Sequence, residues 1–246
     1  MFDLSHKQAL VTGGNKGIGY GIAAALAEAG ASTVLTGRDI EAGTSAVEAI
    51  TTAGGSARFV ACDVNDADAM QALLAEFGGL DILVNNAGIS RSDGAVGDMS
   101  DETWDAVLQT NLTSVFRLAR AAYPLLRTGG GKIINIGSMY SLFGSPFIPN
   151  YAASKGGVVQ LTKSLAVSWA GDNIQVNAIL PGWISTDLTA GVKEMGAFYQ
   201  QIIDRTPARR FGEPSDLGGA AVFLASSASD FVTGQCVTVD GGYSIA

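Results

Sequence analysis

Apolar residues along this chain fall into short unbroken runs, separated by longer stretches of helical spacing. Gln8–Thr12, Ser32–Thr36, Ala57–Cys62, Leu80–Val84, Lys132–Ile136, Ile174–Ile179 and Gln235–Val239 read as strands. They show little polar alternation, the pattern of strands covered on both faces. Tyr20–Ala29, Ile40–Ala53, Asp68–Phe77, Ser100–Arg127, Tyr151 to about Ala170 and Glu213 to about Ala225 read as helices. Pro124 is expected to kink or end the fourth of these. The alternation of strand and helix predicts an α/β fold: one doubly wound parallel sheet between two helical layers, a single domain over residues 1–246. Residues 187–210 are more polar and weakly patterned, and are read as a small helical lid that orders over bound substrate.

The first strand runs into Gly13-Gly14-Asn15-Lys16-Gly17-Ile18-Gly19, and a helix follows. Strand, glycine turn and helix form the context of a dinucleotide fingerprint, although this glycine spacing differs from the commoner G-x-G-x-x-G. Gly13 permits the tight turn, Gly17 lets the backbone approach a pyrophosphate, and Gly19 lets the helix pack closely. The second strand ends at Gly37-Arg38-Asp39. An acidic residue at that end usually holds the ribose 2′-OH of NAD. Gly37 stands where the acid is expected, while Arg38 and Lys16 offer two cations to a 2′-phosphate, so NADP(H) is preferred and NAD(H) not excluded. Asp39 tempers this by partly neutralising Arg38. Asp63-Val64, past the third strand, offers a carboxylate to the adenine amino group or a helix cap. Asn86-Ala87-Gly88 leaves room for a close ligand.

The net charge of −8 carries no basic cluster, which argues against nucleic acid as a partner. Cys62 and Cys236 read as buried thiols within strands. With His6 the single histidine, no His-based metal site and no Ser/His/Asp triad has its parts. No signal peptide and no run long enough to span a membrane are evident, so a cytoplasmic enzyme is the expectation.

Tyr151-Ala152-Ala153-Ser154-Lys155 places a phenol and an ammonium four residues apart on one helical face. A nearby cation favours the phenolate, which makes the phenol usable for proton transfer near neutral pH. Asn111 sits inside the long helical segment, as a buried brace or a functional amide. Ser138 lies at a strand's carboxyl end, where open α/β sheets bind ligands.

Taken in order, Thr12-Gly13-x-x-x-Gly17-Ile18-Gly19, Asp63, Asn85-Asn86-Ala87-Gly88, Asn111, Ser138, Tyr151-x-x-x-Lys155 and Pro181-Gly182 resemble the short-chain dehydrogenase/reductase family from Ala9 to Tyr243. The resemblance implies a Rossmann-like fold with a seven-stranded parallel sheet, a catalytic tetrad of Asn111, Ser138, Tyr151 and Lys155, and a homotetramer or dimer. It implies hydride exchange between NADP(H) and a carbonyl or secondary alcohol. Tyr151 would move the proton, Ser138 orient the oxygen, and Lys155 tune the phenol and bond the nicotinamide ribose. Asn111 would hold a water that links Lys155 to solvent. Pro181, Gly182, Ile184 and Thr186 would line the nicotinamide side, with Asn15 in the glycine turn.

Two groups of the family resemble the chain further. One comprises the 3-oxoacyl-acyl-carrier-protein reductases, whose carrier-docking cations would fall at Gly129 and Asp172. The other comprises dehydrogenases of gluconate-type sugar acids. Ser90, Arg91, Met139, Tyr140, Phe143, Ser145, Phe147, Trp183 and Leu188 are the expected pocket residues. Their aromatic character fits a cyclic or aryl ketone, and Arg91 offers a charge to a carboxylate. The small-molecule substrate stays open among sugars, sugar acids and such ketones. The alternatives are a carrier-linked reductase and a catalytically silent dinucleotide-binding redox sensor.

Overall fold

The computed structural model describes all 246 residues. Its strands are β1 (Gln8–Thr12), β2 (Ser32–Gly37), β3 (Ser56–Ala61), β4 (Ile82–Asn85), β5 (Gly131–Ile136), β6 (Ile174–Pro181) and β7 (Cys236–Val239). All are parallel, in the order β3-β2-β1-β4-β5-β6-β7. The helices are α1 (Gly17–Glu28), α2 (Ile40–Thr52), α3 (Ala67–Ala75), α4 (Asp101–Leu108), α5 (Ser114–Leu126), α6 (Pro149–Trp169), α7 (Ala190–Lys193), α8 (Ala197–Arg205) and α9 (Gly218–Ala225).

Strand side chains alternate between the two faces, and here both faces are apolar. Pairing aligns Val34, Leu10, Leu83, Ile133 and Val176 in one row across five strands. That row packs under Met70 and Leu73 of α3, Leu118 and Ala122 of α5, and Leu165 of α6. Val11, Leu35, Val84, Ile134 and Ile179 face the other way, against Ile22 and Leu26 of α1, Ile50 of α2 and Leu224 of α9. Burial on both faces explains why the strands read as continuous apolar runs.

The single long helix and the placement of the cysteines are corrected. Ser100–Arg127 is not one helix: a π-helical turn at Gln109–Thr113 separates α4 from α5. Pro124 falls in the last turn of α5, which ends two residues later. Cys62 lies just past β3 and is buried, whereas Cys236 opens β7 and is only half-buried. Residues 187–210 fold as a 3-10 turn (Asp187–Thr189), α7 and α8, with Ile202 of α8 buried.

Candidate active site

Strand order reverses at β1, whose neighbours are β2 and β4, and ligands of such sheets bind at the strand carboxyl ends beside that point. The glycine turn sits there. Thr12 Oγ1 accepts the N–H groups of Asn86 (3.0 Å) and Ala87 (3.1 Å). Asn86 Nδ2 donates back to the carbonyls of Thr12 (2.8 Å) and Gly13 (3.1 Å), so the two strand ends are stitched together. Gly13 and Gly17 are left-handed, and a Cβ on Gly19 would stand 2.1 Å from the Gly13 carbonyl. Helix α1 begins at Gly17, with no side-chain cap and no acidic residue in its first turn. Its free N–H groups and positive end are open to a phosphate. Ile18 packs on the core behind them.

Gly37 proves to be more than the missing acid. Buried Asn15 lies across it, and a Cβ there would come within 2.4 Å of Asn15 Oδ1. Both expected cations have carboxylate partners on this side. Arg38 is exposed, 3.8 Å from Asp63, and Lys16 pairs with Asp187 at 2.8 Å. Asp39 does not neutralise Arg38 in an ion pair; its carboxylate caps α2, accepting the Ala42 N–H at 3.0 Å. Asp63 bonds the Asn65 N–H at 2.9 Å, Asp66 supplies the cap of α3, and Val64 packs half-buried against the core.

Tyr151 lies in the first turn of α6, held from behind by fully buried Asn150. Asn150 Oδ1 accepts the Tyr151 N–H at 2.8 Å, and its Nδ2 donates to the carbonyls of Arg91 (3.0 Å) and Thr103 (3.3 Å). Lys155 Nζ stands 5.7 Å from the centre of the Tyr151 ring and donates to the Ile136 carbonyl at 2.7 Å. Burial without a counter-ion pushes the Lys155 pKa down to about 8. Burial also raises the Tyr151 phenol, the neighbouring Ser138 hydroxyl opposes that rise, and Tyr140 adds to it. The expected depression of the phenol by Lys155 does not appear: burial dominates, and the one opposing influence is the Ser138 hydroxyl.

Ser138 lies just past β5 and caps a 3-10 turn, its Oγ accepting the Tyr140 N–H at 3.2 Å. Ser141 Oγ accepts the Ser138 N–H (3.2 Å) and donates to the Lys155 carbonyl (2.8 Å), fixing this turn against α6. Asn111 occupies the middle of the π-helical turn and is fully buried. Its Oδ1 accepts the Ile89 N–H at 2.8 Å; its Nδ2 donates to the Ile89 carbonyl (2.8 Å) and to Ser154 Oγ (3.2 Å). The side chain is thus a brace. A Cβ on Gly88 would lie 3.3 Å from Asn111 Oδ1 and 3.6 Å from Lys155 Nζ, so Gly88 packs against both.

On the substrate side, Tyr140 meets Tyr151 edge-on with centroids 6.2 Å apart, and Trp183 likewise at 6.3 Å. Trp183 also contacts Phe198, Phe211 and Tyr243, and its indole N–H is buried with no partner. Other candidates are less central. Met139 is buried, Leu188 and Phe147 are largely exposed, and Ser145 Oγ accepts the Phe147 and Ile148 N–H groups in a local turn. Arg91 is exposed beside the start of α6, and Ser90 is half-buried. Pro181 ends β6, and Gly182 is pressed against Asp240, where a Cβ would come within 2.6 Å of Asp240 Cα. Ile184 is buried in a bridge to Gly212, and Thr186 lies against Gly17 of the glycine turn.

Asn150, Ser141, Ser154, Asp187 and Arg205 escape a reading of the sequence. Their spacing follows no motif, and only tertiary contact reveals what they touch. The nearest signal was an asparagine immediately before Tyr151.

Residues 13–244 match the family model described as enoyl-(acyl carrier protein) reductase. The chain is 44% identical to 2-dehydro-3-deoxy-D-gluconate 5-dehydrogenase of Escherichia coli, covering 98% of this chain and 97% of that one. It is 41% identical to the 3-oxoacyl-[acyl-carrier-protein] reductase FabG of Chlamydia muridarum, covering 97% and 98%. The crystal structure of a gluconate 5-dehydrogenase from Burkholderia cenocepacia in complex with NADP and tartrate superposes with a TM-score of 0.94 at 41% identity, covering 100% of this chain and 98% of that one. With the seven-stranded parallel sheet, the glycine turn and the Tyr151/Lys155 pair in place, the chain belongs to the short-chain dehydrogenase/reductase family of oxidoreductases.

Proposed function

We propose that this protein is an NADP-dependent dehydrogenase that interconverts a secondary alcohol and a ketone on a small sugar acid. One observation carries the reading: Tyr151, Ser138 and Lys155 meet at the strand ends beside an open helix N-terminus flanked by Lys16 and Arg38. Gly13, Gly17 and the N-terminus of α1 fit a pyrophosphate, and Arg38 and Lys16 fit a 2′-phosphate. Bound NADP(H) would supply or accept the hydride. Tyr151 gives a proton to the substrate oxygen in reduction and takes it in oxidation. Ser138 holds the same oxygen and stabilises the charge developing on it. Lys155, linked to solvent through a water that Asn111 would hold, returns the phenol's proton.

The relatives named for gluconate-type substrates favour a sugar acid over the cyclic or aryl ketone that the aromatic residues alone fit. A carrier-linked substrate is disfavoured at the docking positions. Gly129 presents no side chain, and Asp172 is an anion that accepts the Tyr123 hydroxyl at 2.6 Å. The α7–α8 segment closes over substrate as a lid. Phe116 on α5 and Val167 on α6 are exposed, which supports assembly as a homotetramer or dimer through these helices. The test is nicotinamide absorbance with sugar acids, neutral polyols, cyclic ketones and a carrier-linked 3-oxoacyl substrate, each with both nicotinamides. The sugar acids with NADP(H) are expected to give the highest kcat/KM. A higher value for any other class overturns this reading.

A further inference from the structure

The cations around the α7–α8 segment are nearly all engaged. Arg209 pairs with Asp204, Arg210 pairs with Asp216, and Lys193 donates to Ser185. Arg205, the last residue of α8, has no carboxylate and no hydrogen-bond acceptor. Two rings hold it instead. Its guanidinium carbon lies 4.3 Å from the centre of the Tyr243 ring and 5.3 Å from that of Phe143. Asp240, the acid nearest Tyr243 in the chain, is committed to the N–H groups of Gly242 and Ser244. Ring faces take up the flat sides of a guanidinium and leave its N–H edges free, and those edges match a carboxylate in bidentate geometry.

A row of rings links this cation to the reaction centre: Tyr243 meets Trp183 with centroids 6.5 Å apart, and Trp183 meets Tyr140 at 6.3 Å. Burial raises the pKa of the Tyr140 phenol, Tyr243 adds to the rise, and Arg205 opposes it. Tyr140 in turn meets the Tyr151 ring edge-on at 6.2 Å. We infer that exposed Arg205 is a specificity-determining residue that anchors the substrate carboxylate, held by Phe143 and Tyr243 at the far end of the row of rings that leads through Trp183 and Tyr140 to Tyr151. This rests on the sugar-acid reading above and names the cation that reads the acid. Arg91, the cation picked out by the sequence, lies beside the α6 N-terminus, where its carbonyl is fixed by Asn150.

The test compares wild type with Arg205→Gln, Arg205→Lys and Arg91→Gln, on a six-carbon sugar acid and on a neutral polyol of the same length. Arg205→Gln is expected to raise KM for the acid about tenfold or more, a loss of roughly 1.4 kcal/mol, with kcat nearly kept and the polyol unaffected. Arg205→Lys should recover part of the loss. Calorimetric titration of the NADP-loaded protein with tartrate reads the anchor without turnover, and Arg205→Gln should weaken that binding to a similar degree. Equal losses on acid and polyol, tartrate binding unchanged in Arg205→Gln, or an acid-specific loss found only in Arg91→Gln each overturn the assignment. A wild type that binds tartrate through Arg205 yet oxidises no sugar acid defeats the functional reading while sparing the anchor. A wild type that does neither defeats both.

Discussion

Lys155 is a fully enclosed cation with no counter-ion, and that makes it a measurable liability. Its pKa falls from the ordinary 10.5 to about 8, with burial the sole cause. A drop of that size corresponds to roughly 3 kcal/mol of penalty on the charged form. Between the two pKa values the unfolded chain keeps a proton that the folded one has lost, so stability rises with pH across that window. Below about pH 8 both states are protonated, and the full penalty is carried by the native protein. Lys155→Met keeps the length of the side chain and removes the charge. It also removes the bond to the Ile136 carbonyl, worth about 2 kcal/mol because the donor is charged. The variant should therefore gain about 1 kcal/mol at neutral pH, or roughly 3 °C in Tm, while losing turnover. Urea unfolding of both proteins from about pH 7 to about pH 10.5 checks this: the difference should swing toward wild type by roughly 3 kcal/mol as Lys155 deprotonates. Parallel pH profiles would show that the ammonium is hydrated or paired, and the reasoning would fail.

Tyr151→Phe should lower kcat about 10²- to 10⁴-fold while leaving NADP affinity intact, as seen by fluorescence titration; retained turnover sinks the proton-transfer assignment. Because burial holds the Tyr151 phenol above its ordinary pKa, oxidation should accelerate toward alkaline pH and reduction should not; a pH-independent oxidation rate counts against it. Arg38→Asp should shift preference from NADP toward NAD by tenfold or more, whereas Gly37→Asp should impair both by displacing Asn15; a wild type that prefers NADH contradicts the cation reading. Asp187→Ala frees Lys16 from an exposed ion pair and should tighten NADP, but not NAD, by up to about fivefold, measured as Kd; weaker NADP binding would mean that Asp187 supports the site.

The scaffold was legible because its physics is repetitive. The inner strands are covered on both faces, so each shows as an apolar run, and most helices show a periodic face. The glycine turn, Ser138 and the Tyr151/Lys155 pair were legible because their spacing is local: one turn of helix, or one strand end. Boundaries moved where side chains outside the element decide them. Helix α6 starts at Pro149, two residues before Tyr151, because proline suits a first turn. Nothing in Gln109–Thr113 announces a π-helical turn; it follows from Asn111 reaching Ile89, twenty-two residues away in sequence. Gly37 was understood as an absence, and only the packing of Asn15 shows why no side chain fits. Ring-held Arg205 was invisible for the same reason: its partners lie at residues 143 and 243.

These buried amides also explain how cofactor and acid/base chemistry stay in register. The loop after β4 begins at Asn86, which is hydrogen-bonded to the glycine turn, and ends near Arg91. Asn111 clamps its middle at Ile89 and reaches Ser154, whose hydroxyl donates to the Tyr151 carbonyl at 2.7 Å. Asn150 clamps its far end and takes the Tyr151 N–H. Tyr151 is thus tied by both of its backbone groups to the loop that contacts the phosphate turn. Each tie is a buried polar group whose loss leaves a partner unsatisfied, so slack in the loop costs about 1–3 kcal/mol per bond. A regular helix through residues 109–113 would rotate the amide of Asn111 away from Ile89 and sever the central tie. The π-helical turn is therefore the local irregularity by which two helices and one loop hold Tyr151 in a fixed place relative to the glycine turn.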